Sequence, residues 1–200
     1  MAKSPLASLV TFGGGTALAA VFLHHRISED LDFFSLRELE QAEILPIVRR
    51  LRTAGLIVTQ EIMGPRRVLI LTKRGRQVGH VDVSHYPFDP IDRTVAWRGL
   101  RVDSLIDMTV NKIQAILTRQ RPRDYVDLFF LLKEGPERDL DRLLGLTRAK
   151  FETGADRLSL AERFLEAARV KELPRLIRPV TRRALVSFFE GLARDLVKRG

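Results

Sequence analysis

Asp30 and Asp32 stand two residues apart in the run Asp30-Leu31-Asp32-Phe33-Phe34. The two-residue period of an extended strand turns both carboxylates to one side and Leu31 and Phe33 to the other. Carboxylates crowded on one face repel each other unless a cation stands between them, and an all-oxygen donor set suits Mg²⁺ or Mn²⁺. A solvated acidic strand end would look the same, but Gly13-Gly14-Gly15-Thr16 lies just upstream. A strand broken by glycines and followed by a helix leaves unpaired backbone N–H groups and a positive helix end where a phosphate can sit. The Thr16 hydroxyl would be one more donor. A hard divalent cation beside a phosphate cradle is equipment for chemistry on a phosphate ester.

Further along the chain, Val81-Asp82-Val83-Ser84 alternates, with the acid opposite the valines. Asp82 reads either as a third metal ligand or as an acid on a solvent face, with His80, Ser84 and Tyr86 on its side. Lys112 and Arg119 are seven residues apart, two helical turns on one face, opposite Ile113, Ile116 and Leu117. They could reach a triphosphate or simply form an exposed basic face. Asp124 and Asp127 open the next helix, where the helix dipole accounts for Asp124. Asp127, beside Leu128-Phe129-Phe130, calls for a cation partner. His24 and His25 end a helix and read as a surface pair, and His80 and His85 flank a strand. No histidine spacing resembles a zinc enzyme, and neither a nucleophilic serine elbow nor a Walker loop is present.

These residues need positioning elements, and hydrophobic periodicity supplies them. Strands are expected over 7–12, 30–34 and 77–85, with a hairpin over 56–63 and 68–71 around Gly64-Pro65. Helices are expected over 16–25 and 37–54, the latter with Pro46 inside, and 86–98, with Pro87 and Pro90, reads as a loop. After residue 100 the pattern becomes helical, over 103–120, 122–133, 138–151, 158–170 and 181–198, with Pro122 well placed at a helix start. The expectation is an α/β core over 1–100 followed by an all-helical region over 101–200.

The chain has 200 residues, no cysteine and a formal net charge of +9. The absence of cysteine removes disulfides, thiolate catalysis and cysteine zinc sites, and is compatible with a reducing cytoplasm. From Arg138 onward there are 15 basic and 9 acidic residues, against 19 and 16 before it, so the basic excess lies mainly in the last third. That excess favours a polyanionic partner. Residues 4–23 are uncharged and follow Lys3, like a leader or a membrane span, yet three glycines interrupt them. No membrane association is expected.

Three blocks in order, GGGTALAAVFLHHRISEDLDFF, NKIQAILTR and RDYVDLFFLL, resemble the AbiEii/AbiGii nucleotidyltransferases, a branch of the DNA polymerase β-like superfamily. The likeness runs from about Phe12 to Leu132. It implies an α+β fold, with a minimal nucleotidyltransferase core of mixed sheet and flanking helices followed by a helical half. It also implies a nucleotide's phosphates held by Gly14, Gly15, Thr16 and Ser28, with Lys112 and Arg119 at the triphosphate. Asp30 and Asp32, with Asp82 as the third candidate, would hold Mg²⁺ or Mn²⁺. Asp124 or Asp127 would be a further active-site acid. The implied function is that of a toxin in a toxin–antitoxin or phage-defence pair, transferring NMP from an NTP to a hydroxyl such as a tRNA 3′ end, with a cognate antitoxin as partner. A protein or small-molecule acceptor, or a non-catalytic domain that binds nucleotide or antitoxin, are the alternatives. The helix that the family places ahead of its glycine strand is nearly absent here, and the C-terminal helices carry no motif that names an acceptor.

Overall fold

A computed structural model describes residues 4–198. They form two compact units, residues 4–21 with Ser28–Ser104, and Phe22–Ile27 with residues 105–198.

The first unit is built on a seven-stranded mixed sheet. Its strands are β1 (Thr11–Gly13), β2 (Leu31–Ser35), β3 (Ile57–Met63), β4 (Arg66–Lys73), β5 (Arg76–His85), β6 (Val95–Trp97) and β7 (Leu100–Val102), in the order β3-β4-β5-β2-β1-β7-β6. β2 runs antiparallel to β1 and parallel to β5, and β1 runs parallel to β7. Side-chain alternation gives the sheet two unlike faces. Phe12, Phe33, Leu69, Val81 and Val83 are buried together on one, where the Phe12 and Phe33 rings stack at 5.1 Å. Asp32, Phe34, Asp82, Ser84 and Arg66 share the other, as their register pairs require.

Several elements differ from what periodicity alone gives. The strand expected over 7–12 is reduced to β1, because Pro5 starts a 3₁₀ turn over Pro5–Ser8 whose Leu6 N–H donates to Ser4 Oγ. After β1, α1 (Gly14–Ala17) passes into a π-helix over Leu18–Leu23, which ends at His24 with φ of 49°. The helix expected from residue 37 is α2 (Gln41–Thr53), since Glu40 and Glu43 form a capping box and Arg37 pairs with Glu43 instead of entering the helix. Pro46 stays within it. The expected loop over 86–98 holds β6, which turns through Arg98 and Gly99, both at positive φ, into β7.

The second unit is helical, with α3 (Leu105–Thr118), α4 (Pro122–Glu134), α5 (Leu140–Phe151), α6 (Arg157–Leu165) and α7 (Arg182–Lys198). Pro122 takes the first helical position, as expected. Tyr125, Phe164 and Phe189 form its aromatic centre, and the Tyr125 hydroxyl donates to the Arg163 carbonyl at 2.7 Å. The segment Phe22–Ile27 belongs here as a strap. Ile27 N–H donates to the Arg175 carbonyl at 2.8 Å, and Ile177 N–H donates to the His25 carbonyl at 2.9 Å. Among the described residues no helix is long and apolar enough to cross a membrane.

Candidate active site

The polar face of the first unit gathers the acids that the alternating strands pointed to. Asp32 and Asp82 are direct neighbours across the parallel β2–β5 pair, and Gly13 faces Asp32 from β1. The glycines here make room for acids as well as for phosphates. Gly14 takes φ of +67°, and a Cβ there would overlap the Asp32 carboxylate. At Gly13 a Cβ would come within 2.7 Å of the Phe34 ring and 2.5 Å of the Asp103 carboxylate. Thr16 is buried and its hydroxyl donates to the Asp30 carbonyl, with the Ser28 hydroxyl 2.7 Å away. That contact staples the start of the helix to the entry of the acidic strand, a structural use of the Thr16 proton that the sequence had offered to a phosphate.

Asp82 is buried, so the solvent-face alternative does not hold. Its carboxylate accepts from Arg66 through both Nε and Nη2 and from Ser84 Oγ at 2.7 Å. The hydrogen bond to Asp82 is the chief cause of a raised Arg66 pKa, outweighing partial burial, with the charges of Asp82, Asp32 and Asp30 adding to it. His80 Nδ1 lies 3.3 Å from Asp30 Oδ1. Arg66 is therefore a cation set against three carboxylates, its side chain 45% exposed while that of Asp82 is 6% exposed. Among the described residues no three His, Asp or Glu side chains stand closely enough to hold a metal ion as they are. The donor chemistry nevertheless fits one: Asp30 and Asp32 offer hard oxygens, Gly14 leaves space at Asp32, and Arg66 already answers the local negative charge. Asp82 would join such a set by exchanging Arg66.

In the second unit, Lys112, Asp124 and Asp127 form a buried ionic knot. Lys112 Nζ reaches Asp124 Oδ1 at 2.7 Å and Asp127 Oδ2 at 2.6 Å. Arg119 Nε adds a bond to Asp124 Oδ2 at 3.0 Å. Asp127 also takes a bidentate pair from Arg26, at 2.6 and 2.9 Å, and a contact from His25 Nε2 at 2.7 Å. A carboxylate only accepts, so that contact fixes the histidine proton on Nε2. Both aspartate side chains are 0% exposed. Burial alone would raise the Asp127 pKa, but the charge of Lys112 and the bonds from Arg26 and His25 hold it far below the usual carboxylate range. Asp124 is lowered too, burial being outweighed by Lys112 and Arg119.

Asp127 thus has the cation partner its apolar setting called for, and Lys112 is interior, not part of an exposed basic face. His25 is completely buried and not a surface feature. Arg26, His25 and Arg66 carry no spacing signal, because their partners lie 101, 102 and 16 residues away.

The model of the family described as "Nucleotidyl transferase AbiEii toxin, Type IV TA system" matches residues 1–197. No curated protein is detectably similar in sequence. Among solved structures, JHP933 from Helicobacter pylori is similar over 99% of this chain and 86% of its own, with 19% identity and a TM-score of 0.62. A candidate nucleotidyltransferase from H. pylori covers 99% of this chain and 88% of its own, with 20% identity and a TM-score of 0.61. At those identities the likeness establishes the fold.

Proposed function

The chain belongs to the AbiEii nucleotidyltransferase toxin family, and from that premise we propose that it transfers NMP from an NTP to the 3′ hydroxyl of an RNA, in a metal-dependent reaction. The observation that carries this reading is the joint construction of glycine turn and acidic strand: Gly14 must lack a Cβ for Asp32 to occupy its place. A phosphate loop and a pair of hard-cation ligands are thereby locked to each other.

In this reading the backbone N–H groups of Gly14 and Gly15 and the Ser28 hydroxyl hold the phosphates at the start of the helix. Asp30 and Asp32 would hold Mg²⁺ or Mn²⁺, with Asp82 as a third ligand if Arg66 gave way. A bound divalent cation supplies Lewis acidity at the α-phosphate and eases deprotonation of the acceptor hydroxyl. The acceptor oxygen forms a bond to the α-phosphorus, the bond to the bridging oxygen breaks, pyrophosphate leaves, and the hydroxyl proton passes to solvent. Lys112 gives two of its three donors to Asp124 and Asp127. The third, with Arg119, is assigned to the triphosphate. Three permanent cations, Arg26, Lys112 and Arg119, face two carboxylates in that knot, so positive charge is left for a polyanion. Asp124 and Asp127 then act as positioning residues. They set Lys112 and do not touch substrate. The type IV toxin–antitoxin family implies a cognate antitoxin, and NTP and RNA as substrates fit a cytoplasmic site of action.

Incubation with labelled NTPs, Mg²⁺ and total RNA tests the proposal. Label on RNA 3′ ends, lost in Asp32→Ala and on chelation, is the expected result. Label on protein or on a metabolite with RNA untouched would replace the acceptor, and undiminished transfer by Asp32→Ala would refute the acid assignment.

A further inference from the structure

The acidic face of the sheet continues into a row of aromatic rings that the transfer reaction as described does not use. Phe34 follows Asp32 on the same side of β2, about 6.7 Å along the strand at 3.3 to 3.4 Å per residue. Its ring centroid lies 4.9 Å from that of Tyr86, and Tyr86 lies 4.9 Å from Phe88. All three side chains are half-buried, unlike Phe33 and Phe12 on the opposite face, which are core. The backbone holds the row in place, because Tyr86 N–H donates to the Ser35 carbonyl at 2.7 Å and Phe88 N–H donates to the Tyr86 carbonyl at 2.8 Å. The glycine at 13 is required in part by the Phe34 ring.

The direction of this row matters. β1 and β2 are antiparallel, with Gly13 opposite Asp32 and Thr11 opposite Phe34. The phosphate turn at Gly14–Thr16, with Ser28 and Asp30, therefore lies beyond one side of Asp32, and Phe34 lies beyond the other. In-line displacement puts the leaving pyrophosphate and the attacking hydroxyl on opposite sides of the phosphorus. If the triphosphate runs toward the glycine turn, the attacking nucleoside comes from the side of Phe34.

We propose that Phe34 and Tyr86 form a stacking shelf for the terminal nucleobase of a polynucleotide acceptor, whose 3′ hydroxyl is thereby presented at Asp32 and Asp82. Planar π faces accept every base, so the shelf recognises an unpaired 3′ end without selecting its sequence. This rests on the nucleotidyltransferase reading above.

The test uses the full chain and a single-stranded oligoribonucleotide carrying the fluorescent base 2-aminopurine at its 3′ terminus, with a second oligonucleotide carrying it internally. Binding to the wild type quenches the terminal probe more than the internal one. Phe34→Leu, which keeps an apolar side chain but no ring face, and Tyr86→Leu each remove that excess quench and weaken the oligonucleotide by roughly tenfold. NTP affinity, followed with a fluorescent NTP, falls far less. Equal quench at both positions, or variants whose quench and affinity match the wild type while their thermal denaturation shows them folded, overturns the shelf. So does a loss of NTP affinity as large as the loss of oligonucleotide affinity, which would hand the shelf to the donor base. Failure of the wild type to bind NTP at all would instead count against the nucleotidyltransferase reading, so the two can be told apart.

Discussion

Asp127 has three cationic or donor partners and no access to water, so its loss leaves Lys112 and Arg26 short of a counterion in the interior. Asp127→Asn should cost about 3–5 kcal/mol of stability, read by chemical denaturation. Its pKa is lowered on folding, so the carboxylate stabilises the fold fully above its unfolded value of about 3.9 and progressively less as pH falls below it. The wild-type melting temperature should therefore drop more steeply than that of Asp127→Asn below about pH 4. Parallel profiles would show that Asp127 contributes no pH-dependent stability. Arg66 belongs to the same scale. Arg66→Ala frees the Asp82 carboxylate, and Mn²⁺ binding followed by electron paramagnetic resonance should tighten, whereas unchanged or weaker binding would show that Arg66 does not compete with a cation. The acid pair was legible because a two-residue spacing is local. Arg66 was not, because it lies just past the Gly64-Pro65 turn and finds Asp82 only when β4 pairs with β5.

At the level of elements, the turn from β1 into α1 carries the tightest requirement. Gly14→Ala combines positive φ with overlap on Asp32, so label transfer should fall to background. Gly75→Ala also falls at positive φ but meets open space, and should cost only about 1–3 kcal/mol while transfer survives. Equal activity of the two variants would remove the reason given for Gly14. The hairpin of β3 and β4, β5 and the five helices of the second unit were readable from periodicity and breakers, because each is long enough to repeat its pattern. The π-helix over Leu18–Leu23 and the short hairpin of β6 and β7 were not. An apolar run looks the same in α and π windings, and three-residue strands are too short to show a period. The start of α2 is set by Glu40 and Glu43 bonding across the first turn, which apolar spacing does not reveal, and a glutamate is not among the usual N-cap residues.

For the whole molecule, the net charge of +9 makes a quantitative demand on any nucleic-acid acceptor. Single-stranded binding weakens with salt by about 0.7 logarithmic units per neutralised phosphate per tenfold rise in salt. The KM for RNA should therefore climb steeply with salt, and that for NTP much less. An acceptor KM insensitive to salt would argue for a small molecule. Charge and composition were legible at once, but the assignment of Phe22–Ile27 to the helical unit was not, since nothing in HHR announces a partner in α4. That strap has a consequence for how the protein can be divided. The chain leaves the sheet after the glycine turn, gives His25 and Arg26 to the helical unit, and returns to supply Asp30 and Asp32. A single cut after Ser104 would part Arg26 and His25 from Asp127, which keeps Lys112 at 2.6 Å. Neither half should fold alone at neutral pH, and mixing them should restore transfer only if the strap can thread back. The two units are thus one folding problem, and neither can be exchanged for another by a single junction in the chain.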